Sequence, residues 1–145
     1  MMKIQLITIG EPKNEYKKIF DEFLKRLGGF VKVEYFPIKE NKDSDKKILK
    51  LIDKTFVVLL DEKGREFSSV ELANFLEKKE LESIGTISFL IGGPDGHSDE
   101  VRKKEDFKIS FSKLTFPHDL AMVILVETLY RSFSIIKNHP YHREG

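Results

Sequence analysis

The chain has 145 residues, 40% of them hydrophobic and 34% charged, which suits one domain with a sizeable core and excludes a disordered chain. It has no cysteine, so disulfides, thiolate nucleophiles and cysteine-ligated metal centres are excluded. Its 25 Lys and Arg nearly balance 24 Asp and Glu, and the net charge of +1 leaves only local basic patches as a route to nucleic acid.

In chain order, residues 3–9 read as a first strand, with Ile4, Leu6, Ile7 and Ile9 too dense for a sheet covered on one side. Tyr16, Ile19, Phe20, Phe23, Leu24 and Leu27 recur at three- and four-residue steps, and Gly28-Gly29 ends that helix. Residues 31–36 alternate as a strand near an edge, closed by Pro37. A helix is expected over 44–54, then a short apolar central strand, Phe56-Val57-Val58-Leu59-Leu60. Ser68 and Glu71 have capping-box spacing, with Phe67 and Leu72 at hydrophobic-staple positions, for a helix to about residue 79. A second central strand follows over 86–91, then the run Gly92-Gly93-Pro94-Asp95-Gly96. Ser98 caps a short charged helix through 105, residues 107–111 form a last strand, and a helix over 119–137 pairs Glu127 with Arg131 at i,i+4.

Alternating strands and helices without an internal linker predict one α/β domain over 1–145, with a largely parallel sheet and helices on both faces. The start of the chain lacks a long apolar stretch with a small-residue cleavage site, so no signal peptide is expected. The longest apolar run, 120–126, is far short of the roughly 20 residues of a membrane span. A soluble, cytoplasmic protein is the expectation.

Ligands of open α/β sheets bind outside the carboxyl ends of the strands. Three loops lie there: the one from Leu60-Asp61, the glycine run 92–96, and 112–117. They converge if their strands are neighbours. The glycine run is neither a P-loop nor a dinucleotide fingerprint. It reads as a tight turn or as a loop that approaches a ligand by its backbone. His139 and His142 stand three apart without an acidic cluster, so no metal site is expected. His118 reads as a helix-start residue bonded to backbone. Lys46, Lys47, Lys50 and Lys54, and separately Arg102, Lys103, Lys104 and Lys108, form basic clusters that are either solvated faces or phosphate contacts. The ending His139-Pro140-Tyr141-His142-Arg143-Glu144-Gly145 is either a frayed terminus or an acid–base site.

Several segments together resemble one family. They are Leu90-Ile91-Gly92-Gly93-Pro94-Asp95-Gly96, Ser112-Lys113-Leu114-Thr115-Phe116-Pro117-His118, Glu127-Thr128-Leu129-Tyr130-Arg131 and the tail from His139 to Glu144. With the Lys3-Ile4-Gln5-Leu6-Ile7 start and the Leu60-Asp61 turn, they are similar to the RlmH family of SPOUT-class methyltransferases across essentially the whole chain. The resemblance implies methylation of pseudouridine N3 in 23S ribosomal RNA. It implies a homodimer, a C-terminal trefoil knot that general folding rules argue against, and S-adenosylmethionine held in the knot. The implied cofactor-binding residues are Leu60, Gly93, Ser112, Lys113, Leu114, Thr115, Phe116 and Pro117. The implied catalytic residues are His142, Arg143 and Tyr141.

Within that resemblance His142 is expected as the base for the N3 proton, Arg143 as stabiliser of the developing anion or a phosphate grip, and Tyr141 as a stacking platform. Met122 stands where relatives often carry arginine, and Thr128 where they often carry glutamine. The near-neutral charge points to assembled ribosomes rather than naked RNA fragments as substrate. Other readings of the same α/β pattern are a non-enzymatic ribosome- or RNA-binding factor and a nucleotide-binding regulator.

Overall fold

A computed structural model describes residues 2–143; Met1, and the Glu144-Gly145 end of the tail motif, lie outside the described residues. Five strands form a single parallel sheet: β1 (Lys3–Ile9), β2 (Lys32–Ile38), β3 (Phe56–Glu66), β4 (Thr86–Ile91) and β5 (Phe107–Ser110). The helices are α1 (Asn14–Leu27), α2 (Ser44–Ile52), α3 (Ser69–Leu81), α4 (Asp99–Arg102) and α5 (His118–Ile136). The strand order is β2-β1-β4-β3-β5.

The dense apolar strands are explained by two cores, one on each face. One core packs Ile4, Leu6, Val58, Ile87 and Phe89 against α1, α3 and α5. The other packs Ile7, Val57, Leu59 and Leu90 against Ile48 and Ile52 of α2 and Val101 of α4. β1, β3 and β4 therefore need apolar residues on both sides, as the sequence shows.

Local chemistry sets the element ends. Ser68 Oγ accepts from Glu71 N at 3.1 Å and Glu71 Oε1 accepts from Ser68 N at 2.8 Å, so the capping box is formed; such a cap contributes about 1 kcal/mol. Phe67 and Leu72 both pack into the larger core. Ser98 Oγ accepts from Val101 N at 3.3 Å and starts α4, which ends at Arg102, three residues before the expected stop.

Two strands run past their expected ends. Pro37 lies inside β2, paired with Thr8. β2 is an edge strand, where a residue without an N–H loses little. β3 continues six residues beyond Leu60, through the charged run to Glu66, by way of a bulge between Leu60 and Arg65. Here Gly64 is required: a Cβ on it would stand 2.7 Å from the backbone of Ile109.

Met122, which stands where relatives often carry arginine, is fully buried in the larger core. Its position is apolar because α5 is packed here against α1, α3 and the sheet.

Candidate active site

β4, β3 and β5 are neighbours, so the loops that follow their apolar segments meet at one end of the sheet. They enclose a cleft of about 630 Å³, inside the range of roughly 300–1,000 Å³ usual for small-molecule sites. Leu60 and the bulge at 61–63 form one wall, the glycine run a second, and 108–116 a third. Of the expected cofactor-binding residues, Leu60, Gly93, Ser112, Leu114, Thr115 and Phe116 line the cleft. Lys113 and Pro117 belong to the same loop but do not line it; Lys113 is exposed and Pro117 is the residue before α5.

The glycine run is a tight turn. Gly96 N donates to Gly93 O at 2.8 Å, with Pro94 and Asp95 between, and Gly96 has φ +79°. Proline at the second turn position and glycine after Asp95 suit this geometry. The stricter requirement falls on Gly92, which the sequence did not single out. A Cβ there would stand 2.7 Å from Gly96 C and 2.8 Å from Gly96 O. At Gly93 the clash is with Glu40 Oε2 at 2.8 Å, the end of a flexible side chain, and Ile9 Cγ2 at 3.3 Å.

His97, and Arg102 from the second basic cluster, fasten this turn to β3. His97 Nε2 donates to Leu60 O at 3.0 Å. Arg102 donates from Nε to His97 O at 3.3 Å and from Nη1 to Asp61 Oδ2 at 2.7 Å. Arg102 and Lys108, read as part of a cluster that is either a solvated face or a phosphate contact, line the cleft with acidic partners, Asp61 and Glu105. Lys46, Lys47, Lys50 and Lys54 are exposed. The sequence signal for the His97–Arg102–Asp61 link was slight: Asp61 follows the apolar run 56–60 and His97 the glycine run, but Arg102 stands on α4, 41 positions from Asp61.

Burial pushes the His97 pKa below its ordinary value of 6.5, against the bond to Leu60 O, and so favours the neutral ring. The Arg102 hydrogen bond holds the Asp61 carboxyl below its ordinary range. The two effects occupy different pH windows. For His97 the unfolded chain takes up a proton that the folded chain resists, so stability is present above about pH 6.5 and falls as pH drops below it. For Asp61 the contribution is intact above about pH 4 and is lost only as pH falls through its depressed value. Thermal melts from pH 7.5 to 5.5 should therefore show a falling Tm that flattens in His97→Gln and persists in Asp61→Asn. An unchanged slope in His97→Gln would remove His97 as its source.

The loop over 111–117 leaves β5 at one sheet edge and ends beside β1, three strands away, where the His118 ring nitrogen Nε2 lies 2.7 Å from Ile9 O. His118 is thus a backbone-bonded helix-start residue. Leu114, on this loop, is an apolar side chain left 70% exposed at the cleft.

The tail lies at the other end of α5. Tyr141 is half-buried: its ring packs edge-on to Tyr130 with centroids 4.7 Å apart and near Phe23 at 6.4 Å, and the Arg131 guanidinium covers it at 4.9 Å. Its hydroxyl donates to Glu127 Oε1 at 3.1 Å. Burial, with the Glu127 charge second, raises its pKa above 10. The ring expected to stack on a base is therefore already engaged. Arg131 donates to Glu127 Oε1 at 2.9 and 2.5 Å, and Arg131 Nη1 lies 3.1 Å from His142 Nδ1. His139 packs on Phe30, and its Nδ1 accepts from Tyr141 N at 3.2 Å. Arg143 is exposed. From Ala121, which lines the cleft, to Arg131 is ten helical residues, or about 15 Å along the axis. No described residue of the tail lines the cleft of the same chain.

Comparisons with known proteins address the family. The family described as "Predicted SPOUT methyltransferase" matches residues 2–142. Ribosomal RNA large subunit methyltransferase H of Deinococcus radiodurans is 43% identical over 98% of this chain and 99% of its own length. The protein of the same name from Carboxydothermus hydrogenoformans is 34% identical over 98% of this chain and all of its own. Among solved structures, a probable methyltransferase from Bordetella pertussis Tohama I superimposes with a TM-score of 0.61 at 8% identity, covering 91% of this chain and 96% of that one. A probable methylase family protein from Haemophilus influenzae Rd KW20 gives 0.60 at 13% identity, covering 97% and 70%. These two likenesses concern the fold alone. The family match and the near-full-length relatives together place this chain in the SPOUT methyltransferases, within the family whose curated members are named ribosomal RNA large subunit methyltransferase H.

Proposed function

We propose that this protein is an S-adenosylmethionine-dependent methyltransferase that methylates N3 of a pseudouridine in 23S ribosomal RNA, acting as a homodimer on the ribosome in the cytoplasm. The observation that carries this reading is the meeting of three loops, distant in sequence, around one cleft at the carboxyl ends of β3, β4 and β5. The cleft suits the cofactor in chemistry as well as size. Leu60, Leu114 and Phe116 offer apolar walls for adenine, and the exposed Leu114 gains by being covered. The backbone of the turn at 92–96 and of 111–116 offers hydrogen bonds to its edges. When bound, S-adenosylmethionine supplies a methyl group on a sulfonium.

The residues of the chain orient the donor and hold the acceptor nitrogen in line with it. The tail handles the acceptor. Tyr141 anchors it to α5, the exposed Arg143 meets a phosphate or a base carbonyl, and His142 stands between them. Because the tail is remote from the cleft of its own subunit, the reading needs a second copy. A partly exposed row on α5 suits that contact: Leu120, Ile124, Thr128 and Ile135. A trefoil knot is supported by the course of 111–117, which crosses the ends of β3 and β4 before α5 begins beside β1.

The test is transfer of labelled methyl from S-adenosylmethionine to large subunits or ribosomes that lack the modification, with the product nucleotide identified by mass spectrometry. N3-methylpseudouridine on 23S RNA is the expected result, with little turnover on a short naked stem-loop. Cofactor binding without transfer to any ribosomal particle would overturn the reading and favour a binding factor on the same fold.

A further inference from the structure

The donor rules of the tail network constrain which nitrogen of His142 can carry a proton. A guanidinium has five N–H donors and no acceptor. The 3.1 Å contact between Arg131 Nη1 and His142 Nδ1 therefore requires Nδ1 to accept, which leaves the imidazole neutral with its proton on Nε2. Arg131 does not wander. Two of its nitrogens are held by Glu127 Oε1 at 2.9 and 2.5 Å, one helical turn away, and its plane lies over the Tyr141 ring at 4.9 Å. Glu127 is fixed in turn by the Tyr141 hydroxyl at 3.1 Å. Both side chains of the pair are about three-quarters shielded, at 29% and 24% exposure, so the link is not an ordinary solvated ion pair.

We infer that Arg131, held by Glu127, is a positioning residue that presents His142 to the acceptor nucleotide as an Nε2–H hydrogen-bond donor and not as a general base. The inference rests on the proposed methyl transfer and changes the assignment that histidine chemistry alone suggests. Nδ1, the only basic nitrogen of this tautomer, is capped by a cation. Nε2–H is left to point at an acceptor atom.

The chemistry accommodates such a donor. An imide nitrogen flanked by two carbonyls carries its developing negative charge largely on the oxygens. Donors aimed at those oxygens ease loss of the N3 proton to water, and the freed nitrogen pair then forms the bond to methyl as the methyl–sulfur bond breaks. His142 Nε2–H and Arg143 supply donors of that kind. Tyr141 does not compete as a base, because its hydroxyl proton is committed to Glu127 and its pKa is raised by burial.

Nitrogen-15 NMR of the histidine ring and steady-state kinetics test this together. In the wild type His142 should show the neutral Nε2–H tautomer with a hydrogen-bonded Nδ1, and in Arg131→Met that Nδ1 signature should disappear while melting remains cooperative. His142→Ala should lower kcat by about 10²–10³-fold, the usual cost of one transition-state donor. His142→Gln keeps an N–H near the Nε2 position and has no basic nitrogen, so it should recover most of that loss. Arg131→Met should lower kcat by about 10- to 100-fold, as loss of a residue that orients a functional histidine does, with cofactor affinity unchanged and partial rescue in Arg131→Lys. A proton on Nδ1 in the wild type, or His142→Gln as inactive as His142→Ala in a folded protein, would overturn the inference. If the wild type itself transfers no methyl group, the proposed function fails, whereas the NMR result still decides the tautomer.

Discussion

Gly92→Val should cost about 10²-fold in affinity for S-adenosylmethionine. The added Cβ would stand 2.7 Å from Gly96 C and 3.0 Å from His97 N, and these are backbone atoms of a turn already closed by its own hydrogen bond. Backbone cannot swing aside as a side chain can, so the turn itself must move. Forced overpacking of this kind costs about 3 kcal/mol at the upper end of its usual range, which is the stated factor in Kd. Gly93→Ala provides the contrast. Its Cβ meets chiefly the carboxylate end of Glu40, which can rotate away, so less than about tenfold should be lost. Titration calorimetry measures both, and melting curves without ligand separate lost binding from lost fold. Equal losses at the two glycines, or full affinity in Gly92→Val, would show that the turn is not a wall of the donor site.

That contrast also shows what a linear sequence reveals. The run Gly92-Gly93-Pro94-Asp95-Gly96 marks a turn by residue type, and the apolar strand before it puts that turn at a sheet end. Which glycine is indispensable depends on how the turn folds back on itself, and this is not written in the spacing. The same division holds elsewhere. The capping box at Ser68 and Glu71 is a four-residue device and was fully legible. The extension of β3 to Glu66 was not, because 61–66 is a charged run without alternation and is held by β5 across a bulge. Pro37 reads as a strand end until β2 is known to be an edge.

At the cleft, the convergence of three loops followed once β3 was seen between β4 and β5, a strand order the sequence only assumed. His97, Arg102 and Asp61 act through contacts between residues up to 41 positions apart, beyond any local pattern. Glu127 and Arg131 were legible as a helix pair. Their hold on Tyr141 and His142 needed the tail to turn back along α5.

The tail's distance from the cleft leads to the second large effect. Arg143→Ala leaves the cleft intact and removes an acceptor contact, whereas Gly92→Val leaves the tail intact and spoils the cleft. Each variant alone should be almost inactive on ribosomes. In randomly assorted dimers half the molecules contain one subunit of each kind. If the tail serves the partner's cleft, every such molecule has one complete site, made from the Arg143→Ala cleft and the Gly92→Val tail, and activity returns to about a quarter of the wild type. If the tail folded back to its own cleft, the mixed dimer would contain no complete site and activity would stay at the level of the parents. The hold of Glu127 on Tyr141 and of Arg131 on His142, about 15 Å along α5 from Ala121, favours the first outcome, because the tail would have to release both contacts for the second. Co-expression with two different tags, purification of the doubly tagged species and methyl-transfer assay would measure the recovery, which rises to about half of the wild type in the purified mixed dimer because one of its two sites is complete. Its absence in a confirmed mixed dimer would refute the shared site while leaving the cleft's own affinity for the donor untouched.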